Sequence, residues 1–254
     1  MRSFAFFLVV AALTSCKEKA QDKPAVPSIG YTVVNSFPHD TQAFTEGLMI
    51  HNGQLYESTG EKESWIGVVD IKTGQTSKKV QLDPQYFGEG MTILNNKVYY
   101  LTWKHKTGFI YDFRTFKQTG EFHYDTEGWG MTTDNKNIIM SDGSDKLYFL
   151  DTASMKPIKT LAVTSNGEPL KGLNELEYVD GFIYANVWQT SNVVKIDMNT
   201  GAVTGMLDLS PLTKQARELK AEVDVLNGIA WHPATRLMLV TGKFWNYIYV
   251  LKLK

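Results

Sequence analysis

Cysteine is almost missing from this 254-residue chain: Cys16 is the only one. No disulfide can form within it, so the fold must be held by its core. Histidine is sparse as well. His39, His51, His105, His123 and His232 are scattered, with no pair at metal-ligand spacing, which argues against a zinc hydrolase. Neither sign of charge is in excess, since 26 Lys and Arg face 27 Asp and Glu for a formal net charge of -1. No dense basic cluster breaks that balance, so nucleic acid is not expected as a partner. Long apolar runs are lacking too. Only Phe4 to Leu13, behind Arg2, approaches one, and it is too short to span a bilayer comfortably. What is present, 43% hydrophobic and 12% aromatic residues, suffices for one packed all-β domain.

The short apolar run has the length and the positive start of a secretory signal. It ends in Leu13-Thr14-Ser15-Cys16, which resembles a bacterial lipobox with the lone cysteine at the lipidated position. That resemblance implies cleavage before Cys16, acylation of its thiol and new amine, and a firm hold on a membrane by several acyl chains. Residues 1–15 are therefore expected to be a lipoprotein signal peptide. The polar, Pro-punctuated stretch 16–28 reads as a flexible tether, and 29–254 as the folded domain. The implied location is the periplasmic side of a bacterial cell envelope. Lys17 lacks the acidic character of a retention signal and so points to the outer membrane.

One pattern dominates the rest. Short steps into a strand, mostly centred on glycine, recur at Thr45-Glu46-Gly47-Leu48, Gly88-Glu89-Gly90-Met91, Gly128-Trp129-Gly130-Met131, Asn174-Glu175-Leu176-Glu177 and Asn227-Gly228-Ile229-Ala230. Four of the five blocks pass an apolar run into an Asp-led turn, at Asp70, Asp112, Asp151 and Asp197, where the side chain can cap the turn backbone. A period of roughly 40–50 residues with several strands per unit marks a propeller, here five-bladed. Turns such as Asn52-Gly53 and Asp180-Gly181 signal the hairpins. The fifth block ends without an outer strand. The spare strand Tyr31 to Val34 is expected to pair with it and close the ring, leaving no open stack edge. Thr164 to Leu173 reads as a mobile loop. Pro211 to Val223, with Leu212, Ala216, Leu219 and Val223 at near-helical spacing, reads as a short helix capping the rim.

Equivalent ends of all blades then face one central funnel. Its wall collects Glu46, Glu89, Trp129, Asn174, Glu175 and Asn227, joined by Glu57, Ser58, Trp103, Lys104, Asp142, Trp188, Gln189, Lys243 and Trp245. There is no Ser-His-Asp pattern among them. Taken singly, each has a structural use: Asn174 and Asn227 can satisfy backbone groups where strands begin, Asp142 can serve a blade turn, and Trp65 and Trp231 suit core packing. Glu175 and Glu177 share a strand face that Leu176 does not.

The motifs Phe44 to Leu48, Tyr86 to Gly90, Gly128-Trp129-Gly130, Leu173 to Tyr178, Ala185 to Thr190, Leu226 to Trp231 and Thr241 to Trp245 occur in order. From about Phe37 to the C-terminus they resemble those of the plant and bacterial glutaminyl-peptide cyclotransferases. The resemblance implies a five-bladed propeller that converts N-terminal glutamine of peptides or proteins to pyroglutamate and releases ammonia. It implies no required cofactor, and a structural calcium in the central channel is compatible with it. By the same resemblance Glu89 is the proton shuttle, and Asn174 with Lys243 stabilises the oxyanion. Phe44, Glu46, Trp103, Trp129 and Trp188 form the substrate-binding walls. The plant pattern has glutamine where this chain has Glu46, which suggests either a partner for the substrate ammonium or a carboxyl sharing a proton with Glu89. A monomer is expected. Two other readings use the same funnel: a non-enzymatic propeller binding peptide or glycan, and a calcium-dependent lactonase-type propeller built on Glu46, Asn174 and Asn227.

Overall fold

Hydrogen bonding sorts the strands into blades that follow the sequence repeat. The computed structural model describes residues 25–254; the expected signal peptide, Cys16 and most of the tether lie outside them. β1 (Tyr31–Pro38) comes first. Blade one is β2 (Thr45–His51), β3 (Gln54–Thr59), β4 (Trp65–Val69) and β5 (Thr76–Gln81). Blade two is β6 (Gly88–Leu94), β7 (Lys97–Thr102), β8 (Thr107–Asp112) and β9 (Gln118–His123). Blade three is β10 (Met131–Thr133), β11 (Ile138–Ser141), β12 (Lys146–Leu150) and β13 (Pro157–Ala162). The small ladder β14 (Thr164–Ser165) and β15 (Glu168–Pro169) leads to blade four, formed by β16 (Leu173–Val179), β17 (Phe182–Val187), β18 (Asn192–Asp197) and β19 (Val203–Asp208). Helix α1 (Ser210–Leu219) precedes β20 (Leu226–His232), β21 (Leu237–Gly242) and β22 (Tyr247–Leu253).

Among the described residues the sheets are five of four strands and one of two. Four blades are simple antiparallel meanders. The fifth has the order β1-β22-β21-β20, so the first strand supplies the outer strand that the C-terminus lacks. Each innermost strand packs on the next, β2 on β6, β6 on β10, β10 on β16, β16 on β20 and β20 back on β2, which closes the ring. Burial follows this radial order. β6 is buried along its whole length, whereas β5 and β13 are mostly exposed. Apolar clusters fill the wedges between blades; Tyr56, Ile66, Met91 and Tyr100 join blades one and two. The Asp-led turns behave alike. Asp70 Oδ1 accepts from the backbone N–H groups of Lys72 and Thr73, and Asp112, Asp151 and Asp197 repeat the pattern.

The central axis is pinned by carboxyl groups. Glu175 accepts backbone N–H bonds from Leu48 at 3.1 Å and Ile229 at 2.8 Å, so blade four grips blades one and five. Glu177 accepts from Trp231 N–H at 2.7 Å. Burial lifts the pKa of both carboxyls, that of Glu177 to about 8, against the pull of those N–H donors. No group of three or more His, Cys, Asp or Glu placed to hold a metal ion occurs among the described residues.

Two connections differ from their sequence reading. The segment expected to be mobile is instead tied down: β14 pairs with β15 around Asn166 and Gly167, both at positive φ, and its flanks bond Gly201 and Gly143. An Asn-Gly pair favours a tight hairpin turn even where the strands are only two residues long. The helix is also shorter than expected. It ends at Leu219, which is consequently 52% exposed, while Leu212, Ala216 and Val223 still join the core between blades four and five.

Candidate active site

A repeated β-bulge builds the site. On the innermost strand of each of four blades the ladder to its neighbour slips at one equivalent place. The slips fall between Thr45 and Gly47, Gly88 and Met91, Leu173 and Leu176, and Leu226 and Ile229. The residues thrown out of register are Glu46, Glu89-Gly90, Asn174-Glu175 and Asn227-Gly228. A bulge re-aims the side chain it carries, and these are turned toward the axis. In blade three Trp129-Gly130 occupies the same level just before β10, held by Gly130 N–H to Ser141 Oγ at 2.8 Å. Glycine is required here because inner strands of neighbouring blades meet backbone to backbone. A Cβ on Gly90 would lie 2.6 Å from both Trp129 O and Met131 N.

Of the bulged residues, Glu46, Glu89 and Asn174 line a cavity of about 300 Å³. Its polar floor is Glu46, Glu89, Asn174 and Lys243, each buried to at least nine-tenths. Lys243 Nζ bonds Glu46 Oε1 at 2.7 Å and sits 4.2 Å above the Phe44 ring. Asn227 Nδ2 donates to Glu46 Oε2 at 3.1 Å and to Thr45 O at 2.9 Å, so Asn227 both ties down backbone and helps hold the carboxylate. Burial raises the pKa of Glu46 to about 7, with Lys243 opposing. Glu89 is pushed well above the usual carboxylate range, first by burial and then by the charge of Glu46, with which it shares a hydrogen bond. Of the two carboxyls Glu89 is the one pushed further toward its protonated form, because Glu46 holds the hydrogen bonds of Lys243 and Asn227. Among the lining residues Asn174 alone has a buried side-chain atom, Oδ1, without a hydrogen-bond partner.

Aromatic rings form the walls. Phe44 and Phe87 meet edge to face at 5.9 Å, Phe87 leans on Trp103 at 5.6 Å, and Trp129 meets Trp188 edge-on at 5.5 Å. Trp188 stands at the mouth, 43% exposed. Exposed Glu61 and Asp224 also line the opening. All eight residues expected at the site thus face one cavity. Larger clefts, among them two of about 460 and 750 Å³ at the hairpin-turn ends of the inner strands, lie away from this grouping.

Of the other funnel residues, Ser58 Oγ donates to Glu89 O at 2.8 Å and fixes the bulge from behind. Glu57 is buried in a hydrogen bond with His39 Nε2 at 3.0 Å and also accepts from Thr45 Oγ1. Asp142 serves its own turn through Ser144 and Tyr148. Trp65 is core; Trp231 is half-buried. The chain after α1 braces Lys243 by reciprocal backbone bonds, Asp224 N–H to Lys243 O and Lys243 N–H to Val225 O, both at 3.0 Å. Sequence reasoning missed Phe87, Glu61, Asp224, His39 and Glu127. Phe87 and Glu127 each stand two residues before a site residue, the one signal that could have found them.

The described residues thus form a closed propeller whose axial cavity holds two carboxyl groups, a lysine and an asparagine beneath aromatic walls. The family profile described as glutamine cyclotransferase matches residues 6–253. The glutaminyl-peptide cyclotransferase of Arabidopsis thaliana is 40% identical over 226 residues, 87% of this chain and 71% of the relative. The crystal structure of Myxococcus xanthus glutaminyl cyclase superposes with a TM-score of 0.84 at 32% identity, covering 90% of this chain and 98% of that one. A Kuenenia stuttgartiensis hydrazine synthase chain, 14% identical with a TM-score of 0.50 over 80% of this chain and 56% of its own, shares the fold alone. The chain belongs to the glutamine cyclotransferase family.

Proposed function

We propose that the protein is a glutaminyl-peptide cyclotransferase, acting as a monomer on peptides or proteins with N-terminal glutamine. The observation that carries this reading is the grouping of Glu89, Asn174 and Lys243 on the floor of an aromatic-walled cavity of about 300 Å³, where burial and Glu46 push the Glu89 carboxyl toward its protonated form. In the reaction the neutral α-amine attacks the side-chain carboxamide carbon, closing a five-membered ring. The former carbonyl oxygen becomes an oxyanion, which the Asn174 amide and the remaining N–H bonds of Lys243 are placed to receive. Glu89 gives its proton to the departing nitrogen and regains one from the attacking nitrogen, so ammonia leaves and the carboxyl is restored. Water is not consumed and no cofactor is required. Phe44, Trp103, Trp129 and Trp188 hold the glutamine side chain folded on its own amine. Mass spectrometry of a Gln-initiated peptide tests the reading: loss of one ammonia supports it. Binding without that loss would leave a non-enzymatic peptide-binding propeller, and turnover of a lactone sensitive to chelator would point to the lactonase type.

Glu46→Gln tests how the proton is held on Glu89. Activity should need a neutral substrate amine, giving a limb that rises with pH, and a protonated Glu89, giving a limb that falls once pH exceeds its raised pKa. Glu46→Gln removes a neighbouring negative charge and releases the Lys243 cation, and both changes lower the pKa of Glu89. The enzyme should stay active, with the falling limb of kcat/KM displaced to lower pH. An unmoved limb would show that Glu46 does not set that proton's hold.

We further propose that Cys16 is lipidated and holds the domain on the periplasmic side of the envelope, at the outer membrane. Support comes from the lipobox-like Leu13-Thr14-Ser15-Cys16 and the polar stretch after it. Cys16→Ser should move the protein from the membrane to the soluble fraction of a cell extract; unchanged membrane association would refute the anchor.

A further inference from the structure

Glu127 lies outside the cavity, behind its wall, in the connection from β9 to β10. One of its oxygens, Oε2, accepts the indole N–H of Trp103 at 2.7 Å and that of Trp129 at 3.1 Å. The two indoles come from different blades: Trp103 follows β7 and Trp129 precedes β10. An indole N–H needs an acceptor when it is removed from water, and here a single atom serves both rings. The backbone supports the arrangement, with Gly128 N–H donating to Trp103 O at 3.0 Å and Trp103 N–H to Phe87 O at 2.9 Å. The outer face of Trp103 carries the Lys104 ammonium at 3.8 Å, and Trp188 abuts Trp129. The tilt of both wall rings is therefore set by where one carboxylate oxygen sits.

We propose that Glu127 is a positioning residue that locks the Trp103 and Trp129 indoles together as the two faces against which the substrate's glutamine side chain is folded. For the identity of the substrate this rests on the cyclotransferase reading; the locking itself does not. A second effect follows from the same placement. Glu89 faces Glu46, Lys243 and Glu127, and the charge of Glu127 adds to burial and to Glu46 in favouring its protonated form, while Lys243 opposes. Glu127 thus orients the walls and helps keep the proton in place between them.

Two substitutions separate these effects from a merely structural one. Glu127→Ala removes the acceptor; Glu127→Gln keeps an oxygen acceptor and removes the charge. In protein with 15N-labelled tryptophan, the six indoles give separate N–H signals. Glu127→Ala should shift the two of Trp103 and Trp129 upfield and leave the other four, whereas Glu127→Gln should leave all six near their original positions. With a Gln-initiated peptide, Glu127→Ala should lower kcat/KM about 100-fold, the scale of a misplaced substrate. Glu127→Gln should recover most of that loss, with its falling pH limb moved to lower pH. Unshifted indole signals in Glu127→Ala would overturn the locking role. So would a kcat/KM in Glu127→Gln as low as in Glu127→Ala. If the unmodified protein releases no ammonia from such peptides, the cyclotransferase reading fails, and the indole signals still decide the role of Glu127.

Discussion

Replacing Glu89 with glutamine is expected to abolish ring closure while leaving the propeller and its affinity for peptide almost intact. The reason lies in the protonation state in which this side chain enters the fold. Burial and the neighbouring Glu46 push it toward its neutral form, and an amide is close in shape and charge to a protonated carboxyl. The amide can still donate to Glu46, so no buried charge is left unpaired and little stability is at stake. It cannot release a proton to departing ammonia. General acid–base catalysis contributes about 10²–10⁴-fold. The amide ion is a very poor leaving group, so a loss at or beyond the top of that range is expected in kcat. Ammonia release gives kcat, calorimetry with a Gln-initiated peptide gives affinity, and a melting curve checks the fold. Turnover near that of the unmodified protein would remove Glu89 from the chemistry.

The second large effect is expected from a single methyl group. A Cβ on Gly130 would fall inside van der Waals contact of Asn174 O, 2.7 Å from the carbonyl carbon and 2.8 Å from Glu175 Cα. All three are backbone atoms, so no side chain can swing aside. β10 and β16 must part at the axis, where Ser141 Oγ bridges Gly130 N–H and Asn174 O. Overpacking commonly costs about 1–3 kcal/mol. Here the fixed backbone places Gly130→Ala at the upper end, a fall in Tm of about 6 °C for a domain of this size. Turnover should fall as well, because the backbone that moves carries Asn174. Gly120→Ala on outer strand β9, where a Cβ meets only Ile110 at ordinary contact distance, should change neither quantity. Equal melting temperatures for the two variants would contradict the close approach at the axis.

Much of the fold could be read directly from residues because it rests on local chemistry. Asn52-Gly53 and Asp180-Gly181 take positive φ in their turns, and the Asp-led turns cap as their sequence suggests. The level of the site was legible through glycines that let blades touch. The device at that level was not. A bulge depends on how a strand lies against its partner, and Glu89 in Gly-Glu-Gly looks the same in or out of register. Pairings across the ring were hidden for a similar reason. Glu46 and Lys243 are 197 residues apart and meet only once the ring closes, so Glu46 could be suspected as an ammonium binder but not recognised as the lysine's partner. Glu127 escaped because its task is to receive two hydrogen bonds behind the wall, and its one mark in the sequence is its place two residues before Trp129. The hairpin at Asn166-Gly167 bore the same turn signal as the others and was overlooked because its strands are too short to show an alternation.

The pairing of Tyr31 with Leu253, continuing to Pro38 with Tyr247, bears on how the molecule comes into being. A chain leaving the ribosome, or threading through a translocation pore, has its first four blades in hand long before the partner of its opening strand emerges. Until the last seven or so residues are free, that strand must wait unpaired and the circle stays open. Contacts between positions so distant along a polypeptide form slowly, so the latch is thrown last. Deleting β1, or clipping a few amino acids from the end of β22, should be felt throughout the ring rather than at one fraying end.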